Sequence, residues 1–200
     1  HVHLRRQRQM CIRDSNSGGT GVAYLTITVL EPVATVVYVP ENITLTRGED
    51  NASIVPILGG GMVASWSISP ELPEGMVFDN GSITGVPLVN STNTTYTVTA
   101  LNSGGTAIAF LNITVVEPVA VLTFDERFFG TRGETLFNAT VNNTGGTVAT
   151  WEIEPALPDG VGLWDGWLYG TPSVNLSETT FTIWANNSGG SANILSLIHI

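Results

Sequence analysis

The stretch SPELPEGMVFDNGSITGVP, Ser69 to Pro87, returns 85 residues later as EPALPDGVGLWDGWLYGTP, Glu154 to Pro172. The copies share Pro70 and Pro155, Leu72-Pro73 and Leu157-Pro158, an acid before Gly75 and Gly160, Asn80-Gly81 and Asp165-Gly166, and Gly85-x-Pro87 and Gly170-x-Pro172. Each shared element is a backbone device. Asn-Gly and Asp-Gly tolerate positive φ at two successive residues, as a type I′ turn requires, so MVFD should fold back on SITG and VGLW on WLYG. Leu-Pro stiffens the extended approach, and Gly-x-Pro ends the second strand. The skeleton specifies a hairpin, not an active site.

Outward from the hairpin, the whole chain repeats. NSGGTGVAYLTITVLEPVA (Asn16–Ala34) matches NSGGTAIAFLNITVVEPVA (Asn102–Ala120), NNSGGSANI (Asn186–Ile194) begins the same run, and Thr-Arg-Gly-Glu occurs at 46–49 and 131–134. A fixed self-similarity period is the mark of a repeat array. Inside each repeat, SWSIS (65–69), YTVTA (96–100), TWEIE (150–154) and FTIWA (181–185) alternate with period two, and turn signals break the chain about every 8 to 12 residues. The expected fold class is all-β: tandem immunoglobulin-like or cadherin-like β-sandwiches. The expected core of the complete repeat is Trp66, Ile68, Phe78, Ile83, Tyr96 and Val98, with Trp151, Ile153, Leu163, Leu168, Phe181 and Ile183 as the matching set.

The two ends break the pattern. HVHLRRQRQMCIRDS and LSLIHI hold all three histidines, the only cysteine (Cys11) and four of the seven arginines, and they read as translated sequencing-adapter sequence, to be set aside like a fusion scar. The expected organisation is therefore 1–15 adapter-like, 16–32 the last strand of a preceding repeat, 33–118 a complete repeat, 119–194 a repeat cut before its last strand, and 195–200 adapter-like. At the repeat offset, Leu195, Ile198 and Ile200 stand where Phe110, Ile113 and Val115 stand in the complete copy. Ala192 to about His199 should thus form the missing last strand, whose absence would leave an unpaired edge, with Val22–Val29 as its competitor for that place.

SPELPEGMVFDNGSITGVP, followed by YTVTALNSGGTAIAFLNITV, resembles the Ig-like tandem repeat family of bacterial and archaeal surface proteins, related to dystroglycan-type cadherin-like domains. The resemblance spans nearly all of Asn16 to Ile194. It implies sandwich arrays on large secreted or cell-surface proteins, without catalytic activity, and so an extracellular or surface location. Fold resemblance does not name a ligand.

Between Asn16 and Ile194 sixteen carboxylates face only Arg47, Arg127 and Arg132, a formal charge of −13. Nucleic acid is excluded as a partner because phosphate binding needs clustered cations. The same region lacks His, Cys and Lys, the usual nucleophiles and general bases, so no enzyme is expected and no catalytic residue is assigned. No apolar run is long enough to span a bilayer. Glu31-Pro32 and Glu117-Pro118 fall at the joins, near Glu49-Asp50, Asp79 and Asp125-Glu126, and carboxylates suit calcium. Without an Asp-x-Asp cluster no metal ligand or cofactor is assigned, and a structural calcium at the joins stands as the alternative to a plainly acidic surface.

Three further features bear on function. Glycosylation sequons begin at Asn42, Asn51, Asn80, Asn90, Asn93, Asn112, Asn138, Asn142, Asn175 and Asn186, well above the roughly three that chance would give. Asp79, Ser82, Thr84 and Thr99 of the complete repeat become Trp164, Trp167, Tyr169 and Trp184 in the next, an aromatic strip expected on the outside. Such a strip can stack on sugars or contact a protein, or it can serve hairpin and inter-repeat packing. Finally, VLEPVA and VVEPVA run straight from one repeat into the next, and a short proline-containing join favours an extended stalk. The expected function is a non-catalytic stalk or adhesion segment whose partners are neighbouring repeats. A carbohydrate- or protein-binding module using the aromatic strip is the alternative.

Overall fold

In the computed structural model, residues 7–125, 127–136 and 139–200 are described, with no account of the side chains of 7–10. All regular structure among them is β. At the N-terminus β1 (Gln7–Asn16) and β2 (Gly19–Thr28) form an antiparallel hairpin, Gln7 opposite Thr28 and Asn16 opposite Gly19. The strand Val22–Val29 is thus taken by β1 and does not complete the later repeat.

The complete repeat contains β3 (Thr35–Val37), β4 (Asn42–Thr46), β5 (Ala52–Ile54), β6 (Ile57–Gly59), β7 (Ser65–Ser69), β8 (Met76–Asp79), β9 (Ser82–Gly85), β10 (Ser91–Asn102) and β11 (Gly105–Val116). One sheet runs β4-β11-β10-β7 and a second β5-β9-β8, with β3 pairing β6. Alternation decides what goes inside: Tyr96, Val98 and Ala100 of β10 and Ala109, Leu111, Ile113 and Val115 of β11 are buried, while the residues between them face out.

The next repeat follows the same plan. It contains β12 (Leu122–Thr123), β13 (Arg127–Phe129), β14 (Asn142–Asn143), β15 (Thr150–Glu154), β16 (Val161–Trp164), β17 (Trp167–Gly170), β18 (Thr179–Asn187) and β19 (Gly190–His199). Its main sheet is β13-β19-β18-β15. Leu168 of the hairpin and Phe181 of the sheet meet in one core with Ala139, Ile198 and Ile200. The strand expected at Ala192–His199 is present, inside the sheet: β19 pairs β18 from Asn187–Gly190 to Thr179–Ile198 and lies parallel to β13 on its other side. Ile198 and Ile200 turn inward and Leu195 outward, as Ile113, Val115 and Phe110 do.

Both hairpins turn where the sequence places them. Asn80 and Gly81 have φ of 48° and 84°, Asp165 and Gly166 of 47° and 75°, closing Asp79 on Ser82 and Trp164 on Trp167. Of the expected core, Ile83, Tyr96, Val98, Leu168, Phe181 and Ile183 are buried, and Ile68, Phe78, Ile153 and Leu163 are half-buried. Trp66 and Trp151 are half-buried for a particular reason: each indole lies across its hairpin turn, 2.8 Å from where a Cβ on Gly81 or Gly166 would stand. Each tryptophan therefore fixes a glycine as well as filling core.

By packing the chain divides into two compact units. Among the described residues, the first comprises 7–43, 51–86 and 93–114, and the second those of 44–50, 87–92 and 115–200.

Candidate functional site

The motif that recurs most faithfully, Asn-Ser-Gly-Gly, forms the turn between the last two strands of each repeat, and it grips the incoming linker. In the first unit, Asn102 Oδ1 accepts from the N–H groups of Gly104 (2.9 Å) and Gly105 (3.1 Å), holding the turn, and Nδ2 donates to the Pro32 carbonyl (2.8 Å). Ser103 Oγ accepts from the Glu31 N–H at 3.1 Å. A Cβ on Gly104 would overlap the Glu31 carbonyl, and one on Gly61 the Pro32 carbonyl. The linker thus passes between two glycine loops that admit no side chain.

The second unit builds the same cradle. Asn187 Oδ1 accepts from Gly189 (2.8 Å) and Gly190 (3.2 Å), while Nδ2 donates to the carbonyls of Pro118 (2.7 Å) and Thr147 (3.1 Å). Ser188 Oγ accepts from the Glu117 N–H at 2.9 Å, and added Cβ atoms on Gly189 and Gly146 would overlap the carbonyls of Glu117 and Pro118. Buried polar groups must be paired, which explains why Asn102, only 7% exposed, carries three hydrogen bonds.

Within the second unit the side chain of Glu117 is held as well. Arg47 Nη2 donates to Glu117 Oε2 at 2.8 Å and Asn90 Nδ2 to Oε1 at 2.6 Å, with the Thr147 N–H at 3.4 Å from Oε2. The Glu117 side chain is 13% exposed. The Arg47 hydrogen bond, aided by Asn90, the Arg47 charge and the Thr147 N–H, outweighs burial and holds the carboxyl below its ordinary range. A depressed folded-state pKa contributes stability above the unfolded-state value, and that contribution disappears as pH falls through the folded-state value. Both oxygens of this join carboxylate are thus answered by protein donors. Among the described residues no three His, Cys, Asp or Glu side chains converge as a metal site.

The predicted aromatic strip is divided by the fold. Trp164 and Trp167 pair across the hairpin at 68% and 45% exposure, and Tyr169, at 45%, lies over Gly162 on the same strand pair. These three form one outer face. Trp184 does not join them: it sits on β18 with parity opposite to Phe181, Ile183 and Ala185, and those residues and Leu168 point into the sandwich from its two sheets. Trp184 therefore faces away on the other side, opposite Glu152 and Asn193. Beside the hairpin, a cleft of about 320 Å³ runs between Trp164, Trp151, Leu163 and Thr150. The buried Trp151 indole N–H has no acceptor among the described residues.

Of the sequons, Asn42, Asn51, Asn80, Asn90, Asn93, Asn142 and Asn175 are exposed, Asn112 and Asn186 are half-buried, and Asn138 lies outside the described residues. Asn90 is committed to Glu117, Asn112 to Asn42 and Thr95, and Asn186 to Thr150 and Glu152. Sequence reasoning assigned no role to Asn102, Asn187, Arg47 or Asn90 beyond repeat markers and sequons. The signal was there: an arginine in each Thr-Arg-Gly-Glu turn and a glutamate in each linker.

Residues 32–116 match the model of the family described as Putative Ig domain. The chain resembles the I-band fragment I67-I69 of titin at a TM-score of 0.53 and 14% identity, over 96% of this chain and 74% of that one. It also resembles titin domains A168-A170 at 0.52 and 15% identity, over 86% and 66%. No curated protein matches the sequence. The matched segment is an Ig-like repeat, the pattern recurs from Val119 onward, and the fold is a tandem of Ig-like sandwiches.

Proposed function

We propose that the chain is a stiff, non-catalytic segment of a secreted or cell-surface repeat array, in which the linker is a structural part rather than a flexible tether. One observation carries the reading: Glu117-Pro118 is fixed through its backbone by Asn187 and Ser188 and through its carboxylate by Arg47 and Asn90. A join held through the Glu117 N–H, both carboxylate oxygens and the Pro118 carbonyl loses hinge freedom that short linkers otherwise keep. Small-angle X-ray scattering of the whole chain tests this. At neutral pH the native chain should give a narrow distance distribution, and the Arg47→Gln, Asn187→Ala double variant a broader one. Identical distributions would contradict a linker-imposed stiffness.

A second reading is favoured by the exposed three-ring face of Trp164, Trp167 and Tyr169, with its cleft. Exposed aromatic faces suit sugar rings, whose C–H faces stack on them. Glycans or surface proteins would then be partners of this repeat alone, since the preceding one carries Asp79, Ser82 and Thr84 in the same places. Glycosylation, where it occurs, suits the exposed and uncommitted Asn51, Asn93 and Asn142 better than Asn90.

A further inference from the structure

The two Thr-Arg-Gly-Glu turns close in the same way. The Gly48 N–H donates to the Pro87 carbonyl (2.9 Å) and the Glu49 N–H to the Thr46 carbonyl (3.3 Å), and likewise Gly133 to Pro172 (2.9 Å) and Glu134 to Thr131 (3.1 Å). At the first turn the space beside the arginine is filled. The Arg47 N–H donates to the Val116 carbonyl at 2.9 Å, and the next residue, Glu117, lies between Arg47 and Asn90.

The repeat offset carries Arg47 to Arg132 and Asn90 to Asn175. Where a linker would lie, there is instead an open cleft of about 550 Å³, lined by Arg132 and Asn175 with Gly130, Leu176, His199 and Ile200. Arg132 and Asn175 are exposed, and neither has a side-chain hydrogen bond or ion pair among the described residues. The ladder points the same way. The Gly130 N–H donates to the His199 carbonyl at 2.8 Å, so the next rung, from the Arg132 N–H, falls one residue beyond Ile200.

We propose that the Arg132–Asn175 cleft is a socket for the glutamate of a Val-Glu-Pro linker, the segment seated on Arg47 and Asn90 as Val116–Pro118. A further repeat of this kind docks there. The inference rests on the array reading above and names the residues that make the next join. The chemistry is that of the filled site: a guanidinium for one carboxylate oxygen and a neutral amide for the other, charge-assisted and sheltered at one edge. Leu176 and Ile200 supply the apolar wall.

The test lengthens the chain after Ile200 by Val-Glu-Pro-Val-Ala, which sets the appended glutamate 85 residues after Glu117, and follows both carboxyls by carbon-detected NMR titration. The appended glutamate should titrate below the ordinary carboxylate range and return to it in the Arg132→Gln variant, with Glu117 unmoved. Equal titration with and without Arg132 would overturn the socket. Glu117, read in the same spectra with and without Arg47→Gln, separates the failures. A depressed Glu117 beside an ordinary appended glutamate overturns the socket alone, whereas a Glu117 indifferent to Arg47 overturns the linker reading too. Arg132 is in an exposed turn, and the buried methyl resonances of Val98 and Ile183 report whether each variant is folded.

Discussion

The turn of the hairpin 76–85 is tied down by a side chain, that of the hairpin 161–170 by backbone, the Val141 N–H donating to the Gly166 carbonyl at 2.8 Å. Tyr38, 1% exposed, donates its hydroxyl to the Gly81 carbonyl at 2.6 Å, whereas the residue at the same offset in the next repeat is Thr123, which pairs instead with Asn142 on β14. The outer faces differ in the opposite sense: Asp79, Ser82 and Thr84 on one, Trp164, Trp167 and Tyr169 on the other. Turn, tryptophan brace and cradle are common to both, so those features belong to the fold. The buried phenol and the aromatic face are what each copy adds.

The common features should respond alike to the same change. Gly104→Ala and Gly189→Ala each force a methyl group onto a linker carbonyl, and overpacking of this kind costs about 1–3 kcal/mol, more where backbone must move. Chemical denaturation should show comparable losses. A tolerant copy would mean that its linker is not confined by the glycine loop.

Tyr38→Phe sharpens the contrast, since it affects only one repeat. Leaving the Gly81 carbonyl unpaired in a buried setting costs about 1–3 kcal/mol. Burial also pushes the Tyr38 hydroxyl up to about 12. A raised folded-state pKa means that the neutral phenol's contribution is complete below the ordinary tyrosine value and disappears as pH rises through about 12. Ultraviolet phenolate titration should show late ionisation from Tyr38 and from Tyr96, which burial also raises, and Tyr38→Phe should remove the Tyr38 part of it. Ionisation of all tyrosines in one ordinary step would contradict the buried tether.

The smallest stability effect is expected on the aromatic face. Trp164→Ser with Trp167→Ser removes one cross-strand pair, worth about 0.2–1 kcal/mol, and leaves the core intact. On a glycan array the same variant should lose any ligand the native chain retains. Binding that survives would move the site off this face, and a large stability loss would make the rings structural.

How much of this was legible follows from the range of each interaction. The hairpins could be read because Asn80-Gly81 and Asp165-Gly166 act on their own backbone. The last strand, Gly190–His199, could be read because strand pairing demands little beyond alternation, which LSLIHI supplies. The cradle could not: Asn102 reaches Pro32 across 70 residues, and Arg47 reaches Glu117 across another 70. A local reading therefore took Glu117 for a solvated or calcium-type acid when its counter-charge stands in a distant turn. Trp184 failed differently. Parity correctly turned it outward, but parity does not say which of two sheets a strand joins, and that sets it apart from Trp164 and Trp167.

The most direct test of the held linker is backbone ¹⁵N relaxation at Val116, Glu117, Val119 and Ala120, compared with β10 and β18. If the cradle and the Arg47–Glu117 pair confine the join, its order parameters should equal those of the strands, about 0.85. Values below about 0.6 at these residues, in a chain whose strands remain rigid, would show a mobile tether and contradict the account.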